Sequence, residues 1–64
     1  MTREEIKAFM DGDTAAWYDG EIYYFDCVDG GGALVMREIN TDYVHRVPDW
    51  ERKLRSRCYL ARTW

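Results

Sequence analysis

A chain of 64 residues with 47% hydrophobic and 33% charged side chains and a formal net charge of −3 is long enough for one folded domain and too short for two. This apolar content excludes a disordered chain. The longest uncharged stretch, residues 30–36, is far short of the ~20 apolar residues of a membrane-spanning helix, and the N-terminus lacks the basic-then-apolar layout of a secretory signal. The sequence therefore reads as a cytoplasmic protein starting at Met1, with no membrane partner.

The opening segment predicts a helix. Thr2 is placed to cap it, Glu5 three residues on completes a capping box, and Ile6, Phe9 and Met10 fall at i, i+3 and i+4 as one apolar stripe. Gly12 suits the left-handed residue that closes such a helix. The stripe needs a flat apolar surface to lie on, and the next segment supplies one. Asp19-Gly20, between aromatic and β-branched runs, is the dipeptide a two-residue hairpin prefers, so residues 14–18 and 21–28 predict two strands. A third spans 33–39. After the turn residues Asn40, Thr41 and Asp42, a fourth spans 43–47 and stops at Pro48, which has no N–H to give a ladder.

Gly30, Gly31 and Gly32 lie between the second and third strands. A phosphate-binding loop would need a helix after it and a lysine in reach. Here the β-prone run Ala33 to Met36 comes next, and Asp29 adds a negative charge, so the glycines read as a hairpin turn.

After Pro48 two patterns overlap. Trp50, Leu54, Cys58 and Ala61 recur at helical spacing behind Asp49 as an N-cap, while Leu54, Ser56, Cys58 and Leu60 alternate as in a strand. The expected fold class is α+β, with an N-terminal helix packed on an antiparallel meander of about four strands. Residues 49–57 are favoured as a helix; read as a fifth strand instead, the C-terminal segment would let the sheet close into a small SH3-like barrel.

Pairing Val28 with Ala33 across the glycine turn fixes which residues share a face. One face collects Tyr23, Phe25, Cys27, Leu34 and Met36. The other collects Ile22, Tyr24, Val28, Ala33, Val35 and Ile39, with Asp26 and Arg37 as its only charges. A hairpin with one side in water would show one polar face; this one shows none. The first helix can cover one side. The second falls to the C-terminal segment, to the curvature of a barrel, to a second copy of the chain or to another protein.

Chemistry is scarce. With His45 as the single histidine, no Ser-His-Asp or Cys-His arrangement is visible, and Asp42 with His45 reads as a turn and its neighbour. Cys27 and Cys58 have no CxxC spacing and read as reduced thiols of the core. No enzymatic activity, metal or cofactor is expected, which leaves surfaces. Ten residues are Phe, Trp or Tyr, and Trp17, Tyr18, Tyr24, Tyr43, Trp50 and Trp64 are the pool for binding anchors. Asp11, Asp13, Asp19, Glu21, Asp26 and Asp29 fall near turns and strand ends, where they would offer negative charge to a basic groove. Arg52, Lys53, Arg55 and Arg57, with Trp50 and Tyr59 to stack on bases, carry the alternative of a small nucleic-acid-binding protein. Net negative charge opposes it.

The chain is thus expected to be a non-catalytic protein-interaction module. Tyr24, Val35, Arg37 and Ile39 would make the contact, with Asp19, Glu21 and Asp26 as a polar rim, against another protein or in a homodimer. In size and composition, though in no motif, it is similar to the small acidic inhibitors carried by phages and mobile elements, which act by occluding a partner's surface.

Overall fold

The structure is a computed structural model that describes residues 1–61; Trp64 lies outside the described residues. In chain order it has α1 (Arg3–Met10), β1 (Ala15–Tyr18), β2 (Glu21–Val28), β3 (Leu34–Glu38), β4 (Val44–Val47), α2 (Trp50–Arg57) and β5 (Cys58–Ala61). The strands form one antiparallel sheet in the order β4-β3-β2-β1-β5. The fold is α+β as expected, with five strands in place of about four. The sheet does not close into an SH3-like barrel: β4 and β5 remain its two edges, with three strands between them.

The capping box forms at α1. Thr2 Oγ1 accepts from the Glu5 N–H at 3.2 Å, and Glu5 Oε1 accepts from the Thr2 N–H at 2.8 Å. Ile6 and Phe9 are buried on the stripe, with Met10 packed against the same core. Between β1 and β2, Asp19 at φ 52° and Gly20 at φ 83° provide the two positive φ values of the tight hairpin.

Both patterns read after Pro48 are realised, one after the other. Residues 50–57 are helical and residues 58–61 are a strand paired to β1 through Ala16↔Leu60 and Tyr18↔Cys58. Topology explains the sequence of the two. A chain leaving edge strand β4 to add β5 at the other edge must cross four strand spacings, about 19 Å, and an eight-residue helix covers about 12 Å of that. The crossing buries Leu54 completely in the core. Asp49 precedes α2 at φ 55° but makes no side-chain cap; its carboxylate accepts from Arg52 Nε at 2.8 Å. The other end of α2 is better served. The Met1 ammonium donates to the carbonyls of Leu54 at 2.9 Å, Arg55 at 3.2 Å and Cys58 at 2.9 Å, placing a cation at the negative end of the helix.

The β2–β3 register holds as expected for Tyr23↔Glu38, Tyr24↔Arg37 and Phe25↔Met36. It then slips by one at a bulge around Asp26, giving Cys27↔Val35 and Val28↔Leu34 in place of Val28↔Ala33. One extra residue in a strand moves the residues beyond it to the opposite face. Cys27 therefore leaves the side of Tyr23 and Phe25 and is exposed, which corrects the expectation of two core thiols; only Cys58 is buried.

Candidate functional site

Both helices lie on the same side of the sheet. Ile6 and Phe9 of α1 and Leu54 of α2 belong to one buried cluster with Ala16, Tyr18, Tyr23, Leu34, Met36, Val47 and Cys58. Trp50 closes its margin, its indole N–H donating to the Gly32 carbonyl at 3.1 Å. The crossing helix, one of the candidates to cover the second face, reinforces the first.

The second face is consequently open among the described residues. Its buried content is a small group, Ala15, Ile22 and Ala61, with half-buried Ile39 against it, and Val35 on β3. Around that group large side chains face solvent. Tyr59 and Trp17 sit side by side on β5 and β1, and Trp17 pairs with Ile22 on β2. Tyr24 pairs with Arg37, Arg37 with Val44, and Val35 with both Cys27 and Arg46. Tyr59 is 71% exposed, Val44 45%, Trp17 43% and Tyr24 39%.

The charges on this side are paired among themselves. Arg37 Nη2 lies 3.6 Å from Asp26 Oδ2. Arg46 donates from Nε to Asp29 Oδ2 at 2.7 Å, with Nη2 at the same distance from that oxygen. Asp29 also settles the glycine turn. Its Oδ1 accepts from the N–H groups of Gly31 at 2.9 Å and Ala33 at 3.0 Å, so the amides that a phosphate would need already hold a carboxylate. Gly32 takes φ 86°, where a side chain would be strained. The Arg46 bond first, and the backbone bonds after it, hold the Asp29 carboxyl below its ordinary range.

Tyr24, Val35, Arg37 and Ile39, read from sequence as contact residues, thus come together on the open face, with Asp26 beside Arg37. Asp19 lies in the β1–β2 turn, and Glu21 pairs with Tyr18 on the helix-covered side. Of the aromatic pool, Trp17, Tyr24 and Tyr43 are exposed, Trp50 is half-buried, and Tyr18 is buried. Tyr59 was legible only as a base-stacking residue. Its place beside Trp17 depends on the β1–β5 pairing, for which the local signal was the alternation after Leu54.

The basic run does not form one patch. At 100° per residue, Lys53 and Arg57 project from one flank of α2 and Arg52 and Arg55 from the other, and Arg52 is bound to Asp49. On the helix-covered side, His45 is set among Tyr18, Tyr23 and Tyr43, with ring centroids 5.6, 5.8 and 6.1 Å away. Close by at the end of β3, Glu38 is buried. Its Oε2 accepts from Thr41 Oγ1 at 2.6 Å, Thr41 N at 2.7 Å and Asn40 N at 3.1 Å, while Oε1 has no partner. The Thr41 hydroxyl is the main cause holding this carboxyl below its ordinary range, and burial raises that of the Tyr23 phenol. Nothing in the sequence pattern marked Glu38, which sits at an inward position of a strand.

Among the described residues, no three or more His, Cys, Asp or Glu side chains are placed to hold a metal ion, and no helix is long and apolar enough to cross a membrane. No protein family, no curated protein and no solved structure matches the chain.

Proposed function

We propose that this protein is a non-catalytic interaction module that lays the open face of its sheet on another protein and occludes the surface it covers. One observation carries this reading: Trp17, Tyr24 and Tyr59 are exposed on a flat face whose two helices both lie on the other side. Tyr and Trp supply large rigid contact area and dominate the energetics of protein interfaces. The neighbouring arginines are neutralised by Asp26 and Asp29, so covering the face strands no bare charge. A single small domain of this kind has little to offer a partner except obstruction, and inhibition is the most concrete form of the role.

The test is capture from extracts of the native host, with Trp17→Ser and Tyr59→Ser introduced singly and together. The double variant is expected to unfold within a few degrees of the parent and to lose its captured protein. Undiminished capture by a folded double variant overturns the proposal. Light scattering distinguishes the occupant: a dimer that the same double variant converts to a monomer assigns the face to a second copy of the chain.

A further inference from the structure

The basic side chains of the described residues fall into two groups. Among the described residues, Lys7, Arg37, Arg46 and Arg52 are ion-paired with Asp11, Asp26, Asp29 and Asp49. Arg3, Lys53, Arg55 and Arg57 have no such pair, although the chain carries more acids than bases. Glu51 stands four residues before Arg55, the spacing that favours pairing along a helix, yet the two are not joined. Arg3 and Arg55, from α1 and α2, border a groove of about 260 Å³ whose other walls are Ile6, Trp50 and Glu51. The groove lies on the helical side of the molecule, away from the open sheet face.

We infer that this groove is a second docking site, for a peptide segment of a partner protein in which an acidic residue stands next to an apolar one. Each wall has a matching part. The two guanidiniums face one acidic side chain, and guanidinium–carboxylate bonds are the strong charge-assisted kind. Ile6 and Trp50 offer apolar surface to the neighbouring side chain, and the Glu51 carboxylate accepts from a peptide N–H. A nucleic acid fits less well, because its phosphodiester backbone has no N–H to offer the Glu51 carboxylate in this groove, whereas a peptide backbone does. This site stands independently of the open face.

The probe is a capped pentapeptide with a central leucine flanked by acidic residues, titrated into the isotope-labelled protein and followed by NMR. The expected result is saturable shifts at the Trp50 indole N–H and at the Arg3 and Arg55 Nε–H. Binding should weaken at least tenfold when the leucine is replaced by serine, and to a similar degree in the folded variant carrying Arg3→Gln and Arg55→Gln. The variant with Lys53→Gln and Arg57→Gln should bind like the parent. No shift at Trp50 with millimolar peptide overturns the inference. So does tighter binding of a thymidine oligonucleotide that shifts Lys53 and Arg57, which would assign the free cations to nucleic acid.

Discussion

The two faces of one thin sheet have opposite fates. On the first, side chains from both helices and all five strands meet in a closed core, and Phe9, Leu34, Met36 and Leu54 are fully buried. On the second, Ala15, Ile22, Val35 and Ala61 are buried, while large aromatic side chains around them stay exposed. Residue type cannot account for the difference, since Val44 and Val47 are the same side chain on the same strand, β4, one exposed on the open face and the other buried against the helices. The connections account for it. The link from β4 to β5 has to pass over one side of the sheet, and it passes over the side α1 already occupies. Stability is concentrated on one face, leaving the other available for contact.

Substitutions should separate the two roles, and the largest effects belong to the covered face. Phe9→Ala and Leu54→Ala should each cost about 2–5 kcal/mol by urea unfolding, a large share of the stability of a domain this size. Trp17→Ser or Tyr59→Ser on the open face should cost about 1 kcal/mol or less. Equal losses on both faces would mean that the open face is covered from within.

Thiol labelling sharpens the same contrast. Burial pushes the Cys58 thiol up to about 11, partly offset by the Met1 ammonium, so it should react with iodoacetamide only when the chain unfolds. Exposed Cys27 should react in the folded protein. Mass spectrometry of the labelled chain reads both, and protection of Cys27 would contradict the bulge at Asp26.

Acid should reach the turns next. The Asp29 and Glu38 carboxyls release their protons more readily in the folded chain than in the unfolded one. The stability they contribute is complete above their ordinary values of 3.8 and 4.5, and is lost as pH falls below those values through the folded ones. Denaturant unfolding across this range should show that loss, and Asp29→Asn should remove part of it. A pH-independent midpoint would contradict the bonding at both turns.

The smallest effects lie at the rim of α1. Thr2→Ala should lower stability by about 1 kcal/mol through loss of the cap, and Lys7→Ala, which breaks only an exposed pair, by no more than about 0.5 kcal/mol.

Much of the fold was legible because its causes are local. The capping box at Thr2 and Glu5 and the hairpins at Asp19-Gly20 and at residues 29–32 each rest on residues within a few positions of one another. So do the alternating strands, and the apolar character of both sheet faces comes from that alternation. Tyr24, Val35, Arg37 and Ile39 could be grouped on a face for the same reason. The bulge at Asp26 escaped because an unbroken alternation is the simplest continuation of a strand, and Glu38 escaped because its burial depends on Thr41 and Asn40 folding back over it.

The sequence by itself determined the first helix and the four strands up to Pro48, where the chain turns, and that neither side of the sheet is polar, while leaving the segment after Pro48 open between helix and strand. Only the tertiary structure decided that α2 joins α1 on one side, that β5 closes against β1 to set Tyr59 beside Trp17, and that Arg3 and Arg55 border one groove. Those outcomes depend on contacts between residues some forty or fifty positions apart. They arise from the path the chain must take across a sheet, which no local periodicity encodes.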